Sequence, residues 1–226
     1  MSYKIALDGP SGAGKSTLAK KIAAKLGIVY VDTGAMYRSV GLFVRRREVD
    51  PSDAEAVASL LPEIALDVCF SDGEQHILLC GEDVGSAIRT PEISMYASRV
   101  SAIPAVRAFL LDTQRDIAKT VSVIMDGRDI GTVIFPDAEV KIFLTASAEA
   151  RARRRTAELI EKGMNASYED VLRDINERDK NDRERDVAPA IAAEDAVLLD
   201  NSELDLDGTV EAAVAIIEAR LSALTL

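Results

Sequence analysis

The residues with the clearest chemical signature form a glycine-rich segment near the start of the chain. Residues 9–16 read Gly-Pro-Ser-Gly-Ala-Gly-Lys-Ser and match the pattern G-x-x-x-x-G-K-[ST]. Because glycines let the backbone wrap closely around oxygen atoms, successive N–H groups of such a loop converge on a phosphate. Lys15 would then reach the outer phosphates of a nucleotide, and Ser16 would offer its hydroxyl to Mg²⁺. The alternative is a glycine-rich turn followed by a chance Lys-Ser pair.

A nucleotide bound with Mg²⁺ also needs a carboxylate near the metal, and Asp126 has the expected position. In this architecture the carboxylate follows a neighbouring apolar strand, and Asp126 follows the apolar run Val121–Met125. The alternative is a turn residue that ends the strand, since Asp-Gly favours turns. Asp8 is a competing carboxylate, and its position directly before the loop favours a supporting role.

Arginines are the residues that could serve a phosphoryl acceptor. The chain has no NKxD guanine-reading motif and a single histidine, His76. An acceptor that is itself a phosphate monoester, with a second pKa of about 6, needs no general base. It needs fixed cations that offset the repulsion between two anions, and the planar fork of Arg suits phosphate oxygens. Candidates are Arg128 and the arginines of 151–155 and 178–185. The alternative for the last two segments is a solvated helix pair, because Asp and Glu are as common there.

Short apolar strands alternate with helices along the chain and must position these groups. Tyr3–Asp8 is predicted as a strand before the loop, and Lys15–Leu26 as the helix after it. Such alternation is typical of a parallel sheet covered on both faces. We therefore predict an α/β fold, in which a sheet of five parallel strands, flanked by helices, carries the phosphate-binding loop (P-loop). The other predicted elements are strands at Ile28–Val31, Val121–Met125, Val140–Leu144 and Ala196–Leu199, and helices at Met36–Arg46, Asp53–Leu61, Ile93–Arg99, Pro104–Lys119 and from about Asp207.

One segment interrupts the alternation of strands and helices. The apolar runs Ile64–Phe70 and His76–Cys80 flank Ser71-Asp72-Gly73-Glu74, a turn signal typical of a hairpin. A small antiparallel insertion is therefore expected at about 62–90. Because no internal repeat or low-complexity tract is present, residues 1–226 are interpreted as a single domain that carries this insertion.

Composition and charge bound the class of protein. With 48% apolar and 29% charged residues, the 226-residue chain can build a sizeable core. The net charge of −11 is unfavourable for a nucleic-acid binder, so no nucleic-acid partner is expected. No apolar run approaches the ~20 residues that span a bilayer, and Met1–Asp8 lacks the features of a signal peptide. We therefore expect a cytoplasmic protein with no membrane partner, and a monomer because no exposed apolar stripe is apparent.

The cysteines and the histidine carry no predicted chemistry. Cys69 and Cys80 are too far apart for a CxxC motif and too few for a zinc site or a disulfide framework. Both are interpreted as reduced packing residues, because free cysteines are commonly buried. His76 lies in an alternating stretch and is predicted to be a strand residue, so a Ser-His-Asp triad is hard to build.

Taken together, these segments resemble the bacterial cytidylate kinases, a family of nucleoside monophosphate kinases, over nearly the whole chain. The matching elements are Asp8–Thr17, Asp32–Arg38, Gly81–Val84 with Ile88–Thr90, Asp126–Val133, and Glu177–Asp179 with Asp182-Arg183 and Arg185. The loop alone indicates only a nucleotide, whereas five elements in this order are far more specific. The resemblance implies ATP-dependent phosphorylation of CMP and dCMP to CDP and dCDP by in-line transfer, with Mg²⁺ as cofactor. It also assigns the insertion to the acceptor-binding lobe, and about 151–166 to a lid over the donor triphosphate.

The resemblance also implies roles for individual residues. Those implied to surround the cytosine are Thr33, Arg107, Asp129 and Arg185. Those implied to hold the ribose are Ser98, Arg178 and Asp182. Those implied to face the acceptor phosphate are Arg38, Arg128 and Arg185, and Tyr37 completes the CMP-binding set. Those implied to act in catalysis are Lys15, Arg128, Arg154 and Arg185.

The implied donor site coincides with the glycine-rich segment. The ATP-binding residues are Gly9, Pro10, Ser11, Gly12, Ala13, Gly14, Lys15, Ser16 and Thr17, and the metal ligands are Ser16 and Asp126. Two positions depart mildly from the family pattern, because Thr33 stands where serine is usual and Ser16 where glycine is usual. Both residues keep or add a hydroxyl, so the assignment stands.

Alternatives stay open for the function and for some of these residues. A phosphate-loop switch or ATPase would hydrolyse its nucleotide without an acceptor and recruit a partner. A kinase for UMP, AMP or another small phosphorylated or hydroxylated acceptor is the second alternative. Arg107 and Ser98 lie on predicted helices, where a surface charge or a small packing residue is ordinary. Replacement of Arg154 by Ala is predicted to lower turnover far more than stability.

Overall fold

A computed structural model describes residues 2–71, 73–161 and 163–224 of the chain. Asp72 of the predicted hairpin turn and residue 162 of the predicted lid lie outside the described residues. The strands and helices are, in chain order, β1 (Lys4–Asp8), α1 (Lys15–Leu26), β2 (Val29–Asp32), α2 (Thr33–Arg46), α3 (Ala54–Leu60), β3 (Leu66–Ser71), β4 (Glu74–Leu79), β5 (Glu82–Asp83), α4 (Pro91–Val100), α5 (Pro104–Ile117), β6 (Val123–Gly127), β7 (Val140–Thr145), α6 (Ala148–Glu161), α7 (Tyr168–Glu184), β8 (Val197–Asp200) and α8 (Leu206–Ala223).

The main sheet has five strands in the order β2-β6-β1-β7-β8. The pairings of β1 with β6, β1 with β7 and β7 with β8 are all parallel. The central strands are apolar and buried on both faces, as the run Ile5–Leu7 shows, because helices cover both sides of a parallel sheet. The predicted α/β fold with a five-stranded parallel sheet is confirmed.

The predicted element bounds agree with the structure to within a few residues. The largest shift at a helix start is in α2, which begins at Thr33 and not at Met36. Its N-cap is Asp32, whose Oδ1 accepts a hydrogen bond from the Ala35 amide at 2.9 Å. An aspartate at this position pairs one of the free N–H groups of the first turn, so the helix starts at once. A short π-helical turn, Ile130–Ile134, follows β6 and was not predicted.

The predicted hairpin is confirmed as an antiparallel pair. Strands β3 and β4 pair from Leu66↔Leu79 to Ser71↔Glu74, and the two-residue β5 adds a third strand that was not predicted. His76 is a strand residue as predicted, and its Nδ1 lies 3.4 Å from Asp83 Oδ2.

The expectation that both cysteines are packing residues is wrong in part. Cys69 and Cys80 are free thiols, as expected, but both are exposed. Cys69 belongs to the outer half of β3, where most side chains face solvent. Cys80 follows β4 in a turn with a φ of +51°. Both residues lie on a small hairpin sheet with little apolar surface to cover them, so the usual tendency of cysteine toward burial does not apply.

The chain forms two compact units. One comprises Met1–Ile28 and Ser122–Leu226, and the other comprises Val29–Val121. The first contains the phosphate loop and helices α1, α6, α7 and α8. The second contains helices α2–α5 and the small antiparallel sheet, so the predicted insertion at 62–90 is only its middle part. Among the residues that the structure describes, no helix is long and apolar enough to cross a membrane.

In the second unit, helices α2 and α4 cross at a glycine. A Cβ built on Gly41 would lie 3.0 Å from the backbone nitrogen of Ala97 and 3.1 Å from the Cβ of Tyr96. The two helix backbones therefore approach more closely than any other residue at position 41 would allow without a shift. Buried apolar side chains on both helices, among them Val40, Ile93 and Val100, extend this contact into the core.

Candidate active site

The glycine-rich loop joins β1 to α1, as the sequence predicts. Gly9, Gly12 and Gly14 have φ values of +149°, +76° and +89°, which side chains other than glycine rarely allow. A Cβ on Gly9 would lie 2.0 Å from the backbone oxygen of Leu144 on β7. Glycine is therefore required at position 9 by close backbone contact as well as by φ. The tight turn places the loop amides at the N-terminus of α1. The N-terminus of a helix favours anions.

Lys15 is the first residue of α1, and its side chain is buried beside the loop. Its Nζ donates a hydrogen bond to the backbone oxygen of Pro10 at 2.7 Å. Burial lowers the pKa of this lysine well below its usual range, and the charge of Arg128 lowers it further. Asp126 and Asp8 act in the opposite direction. Because the ammonium is poorly solvated, an arriving polyphosphate would find a cation with few competing partners.

Ser16 and Asp126 form the pair predicted to hold a metal. The Ser16 hydroxyl donates to Asp126 Oδ2 at 2.9 Å, and Asp126 lies near the end of β6, directly opposite Leu7 in the parallel register with β1. A hydroxyl and a carboxylate are hard oxygen donors, which suit Mg²⁺. Within the described ranges, no cluster of three or more His, Cys, Asp or Glu side chains could hold a metal ion.

Asp8 connects the end of β1 to the segment after β6. Its Oδ1 accepts from the Ile130 amide at 2.8 Å and its Oδ2 from the Gly131 amide at 2.7 Å. Burial raises the pKa of this carboxyl to about 6, although both amide bonds lower it. Asp8 thus holds the turn that directly follows Arg128 and Asp129, in keeping with the supporting role expected for it.

A charged cluster brings together four of the residues implied to bind CMP. Arg128 Nε donates to Asp182 Oδ2 at 2.8 Å. Arg185 lies 4.0 Å from carboxylate oxygens of both Asp129 and Asp182, and its Nε donates to the backbone oxygen of Ala188 at 2.6 Å. The Arg185 side chain is only 8% exposed. More than fifty positions separate Arg128 and Asp129, which follow β6, from Asp182 near the end of α7 and Arg185 directly after it, and the fold brings the two pairs together. Half-buried Arg178 lies on the same helix, α7.

Arg151, at the head of the arginine-rich segment, is buried against the loop. Its guanidinium donates to the backbone oxygens of Ala146 at 3.0 Å and Ser11 at 2.9 Å, and to Asp179 Oδ2 at 2.6 Å. The side chains of Arg151 and Asp179 are 5% and 12% exposed, so this is a largely desolvated ion pair. Neither residue was predicted individually to act at the site. Arg151 contacts the phosphate loop at Ser11, and Asp179 contacts Arg151.

Arg154 was expected to face the donor triphosphate from a lid, but its hydrogen-bond partners are mainly backbone oxygens. Its Nη2 donates to the backbone oxygens of Asn201, Ser202 and Leu204 at 2.6, 3.3 and 3.3 Å. The predicted catalytic role of Arg154 stays a prediction, because these bonds place its guanidinium on the turn after β8. Asn201 in turn donates through Nδ2 to the backbone oxygen of Ala13 at 3.2 Å.

In the second unit, Asp32 holds the guanidinium groups of Arg38 and Arg89. Its Oδ2 accepts from Arg38 Nη2 at 2.8 Å and from Arg89 Nη1 at 3.1 Å. The Gln75 side-chain amide accepts from the Asp32 backbone nitrogen and donates to its oxygen. Thr33 is buried at the first position of α2. The bond to Asp32 fixes the direction of the Arg38 guanidinium. Its buried Nε has no hydrogen-bond partner among the described residues, so this donor is left for a ligand.

The remaining predicted CMP ligands also belong to the second unit. The guanidinium of Arg107 lies over the ring of Tyr37, 5.7 Å from its centroid, and Nη1 donates to the Ser101 backbone oxygen at 3.2 Å. Arg107 is 8% exposed, so the alternative of an ordinary surface charge is wrong for this residue. Ser98 is half-buried on α4, and its backbone oxygen accepts from the Ser101 hydroxyl at 2.8 Å.

P-loop nucleotide-binding proteins are the class that this sheet and loop define, because the loop follows the first strand of a parallel α/β sheet and carries the lysine and hydroxyl that serve nucleotide phosphates. The model of the cytidylate kinase family matches residues 5–219. This chain belongs to the cytidylate kinase family.

Individual relatives agree with that assignment. The cytidylate kinase of Fervidobacterium nodosum is 50% identical over 220 residues, which cover 97% of this chain and 98% of that protein. The cytidylate kinase of Caldicellulosiruptor bescii is 49% identical over 203 residues, 90% of each chain. Among solved structures, a gluconokinase from Sinorhizobium meliloti is similar with a TM-score of 0.51 at 14% identity, and it covers 99% of this chain and 95% of its own. That last likeness concerns the fold alone.

Proposed function

We propose that this protein transfers the γ-phosphoryl group of ATP to the phosphate of CMP or dCMP. In the reaction, the bond between the γ-phosphorus and the oxygen bridging to the β-phosphate breaks. A bond from the same phosphorus to an oxygen of the acceptor phosphate forms, and ADP leaves with CDP or dCDP. The observation that carries the proposal is the partly buried cluster of Arg128, Asp129, Asp182 and Arg185 in the unit that holds the phosphate loop. The names of the relatives support the choice of acceptor.

The donor nucleotide would bind at residues 9–17. The loop amides would surround the α- and β-phosphates, and Lys15 would leave Pro10 to reach the β- and γ-phosphates. Ser16 and Asp126 would hold Mg²⁺, since their oxygens are 2.9 Å apart and of the type this ion prefers. Bound Mg²⁺ would neutralise charge on the phosphate oxygens. Asp126 would meanwhile orient the Ser16 hydroxyl.

The acceptor phosphate needs cations and no base. As a monoester with a second pKa of about 6 it is mostly dianionic at neutral pH. Arg38, Arg128 and Arg185 would bind its oxygens and offset the repulsion from the donor. Each of the three is already held by a carboxylate or a backbone oxygen. Such restraint means that little side-chain freedom is lost when the anion binds.

Cytosine would be selected by the polarity of its hydrogen-bonding groups. Its N4 amine suits the carboxylate of Asp129, and its O2 and N3 suit donors such as Arg107, Arg185 and the Thr33 hydroxyl. Uracil reverses the polarity at positions 3 and 4, so a site built for cytosine would leave buried groups unpaired with UMP. Ser98, Arg178 and Asp182 are proposed for the ribose, and Tyr37 for the support of Arg107.

The proposed lid comprises about 151–166 and the proposed acceptor-binding insertion about 62–90, within a single kinase domain. Closure of a lid would exclude water, which competes with the acceptor for the phosphoryl group. Arg154 is proposed to act in this closure. A cytoplasmic monomer is also proposed, and light scattering of the purified protein tests the oligomeric state.

An acceptor panel tests the proposed function. The protein is mixed with Mg²⁺, ATP and one of CMP, dCMP, UMP, AMP or shikimate, and all nucleotides are separated by chromatography. CMP and dCMP should give ADP and the cytidine diphosphate in equal amounts, with little ADP in the absence of an acceptor. ADP formed without an acceptor would instead identify a switch or ATPase, and turnover of another acceptor would identify a different kinase.

A matched pair of variants tests the role of the charged cluster. Asp129→Asn should lower kcat/KM for CMP by about 10- to 100-fold, because the amide lacks the negative charge of the carboxylate and replaces one of its two acceptor oxygens by a donor. Asp174→Asn, on the exposed side of α7, is the control and should have no effect. Equal kcat/KM in the two variants would remove Asp129 from the site.

A further inference from the structure

Three backbone oxygens of the phosphate loop are bound by side chains. Lys15 Nζ donates to Pro10 at 2.7 Å, Arg151 Nη1 to Ser11 at 2.9 Å, and Asn201 Nδ2 to Ala13 at 3.2 Å. Lys15 lies next to the loop in sequence, whereas the other two donors are 140 and 188 positions away. These long-range contacts have no part in the chemistry described above.

A bound oxygen fixes the amide on the other side of the same peptide plane. The Ser11 oxygen shares a rigid plane with the Gly12 N–H, and the Ala13 oxygen shares one with the Gly14 N–H, pointing the opposite way. Gly12 and Gly14 both have positive φ values, and glycine can rotate such planes at little cost. An external partner for each oxygen therefore restricts the direction in which these two amides can point.

The two distant donors are themselves fixed. Arg151 is 4% exposed and is also bound to Ala146 and Asp179. Asn201 is 6% exposed, and its backbone nitrogen donates to Thr145 at the end of β7 at 2.9 Å. Lys15 differs, because it must release Pro10 to reach a phosphate. Arg151 is the first residue of the proposed lid, and its three bonds anchor it at the loop while the rest of the lid closes. Arg151 and Asn201 therefore make the contacts that can persist while a nucleotide is bound.

We propose that Arg151 and Asn201 are positioning residues that hold the Gly12 and Gly14 amides toward the phosphates before the nucleotide arrives. This inference rests on the proposed binding of ATP at the loop. A loop fixed in advance loses less conformational entropy on binding. The benefit applies to every ligand whose α- and β-phosphates occupy the loop, so ATP and ADP should gain equally.

The test uses two variants and two controls of matched chemistry. Asn201→Ala removes the bond to Ala13, and Arg151→Lys keeps the charge beside Asp179 but loses the planar set of donors. Asn176→Ala and Arg173→Lys make the same changes at exposed positions of α7. Asn201→Ala and Arg151→Lys should each raise the dissociation constants of ATP and ADP by about tenfold, which is the effect of losing one hydrogen bond of ordinary strength. KM for CMP should stay unchanged in these variants. In the two control variants, the dissociation constants of ATP and ADP should equal those of the wild type.

Hydrogen exchange of the ligand-free protein supplies a readout that needs no nucleotide. The amides of Gly12 and Gly14 should exchange faster in Asn201→Ala than in the wild type and in Asn176→Ala. Unchanged exchange would overturn the inference, and so would a lower melting temperature with unchanged dissociation constants, since that is the result of a merely structural role. If Arg151→Lys does not fold, Asn201→Ala alone decides. A wild type that binds no ATP would refute the proposed function, while the exchange comparison would still decide this inference.

Discussion

Replacement of Asp8 by Asn would test how the fold holds the segment that carries Arg128 and Asp129. The Asp8 carboxylate accepts from the Ile130 and Gly131 amides at 2.8 and 2.7 Å. An asparagine offers one oxygen and turns its NH₂ group toward the second amide. At neutral pH, where the wild-type carboxyl is ionised, the variant leaves one buried N–H without an acceptor, which costs about 1–3 kcal/mol. For a chain of this length, a loss of that size lowers the melting temperature by several degrees.

The pH dependence of the same substitution has a definite sign. Burial raises the pKa of Asp8 from 3.8 to about 6, so the folded protein holds this proton more tightly than the unfolded chain does. The stability from this protonation is fully present below pH 3.8 and is lost as the pH rises through about 6. Such a change in pKa corresponds to about 3 kcal/mol. The stability advantage of the wild type over Asp8→Asn should therefore shrink by about 2 kcal/mol from about pH 4 to about pH 7, because at pH 4 the unfolded carboxyl is already partly ionised.

Urea unfolding of both proteins at several pH values measures this difference. Other carboxylates titrate over the same range, but they are common to both proteins and cancel in the comparison. Asp174→Asn controls for the loss of an exposed carboxyl group. A difference between wild type and Asp8→Asn that stays constant with pH, or grows as the pH rises, would refute the reasoning from burial.

Three further substitutions have expected outcomes. Gly9→Ala should abolish the rise in melting temperature that ATP gives the wild type, because its Cβ would lie 2.0 Å from the Leu144 oxygen; an undiminished rise would contradict this. ATP binding at about pH 8 should take up protons in the wild type but not in Lys15→Met, since burial lowers the pKa of Lys15 and phosphates raise it; calorimetry in two buffers shows whether it does. Asp32→Ala should lower the free energy of unfolding by at least about 1 kcal/mol through the lost helix cap, and should raise KM for CMP because Arg38 loses its partner. Unchanged urea midpoints and kinetics would exclude that role.

The local parts of the site could be predicted from sequence, and the long-range parts could not. The phosphate loop is contiguous, so residue types and spacing specify its position between β1 and α1. Arg128 and Asp182 are 54 positions apart, and only the resemblance to a family placed them in one site. The contacts of Arg151 and Asn201 with loop oxygens leave no periodic signal, because a backbone oxygen accepts from any donor that the fold brings near.

Some differences have a simpler physical origin. The helix α2 was predicted to begin at Met36, although Asp32, three residues before Ala35, has the spacing of an N-cap. That signal would have given the correct helix start. The cysteines show the opposite case, in which a general tendency of a residue type was overridden by its position on a small sheet.

The crossing of α2 and α4 at Gly41 ties together two side chains that are far apart in sequence. Arg38 lies one turn before the crossing on α2, and Ser98 lies one residue beyond Ala97 on α4. Because the backbones touch there, neither helix can slide or rotate without moving the other. A hydrogen atom in place of a side chain thus sets the spacing between an arginine and a serine. Under the proposed function, a larger residue at position 41 would therefore change the spacing between two acceptor ligands without replacing either of them.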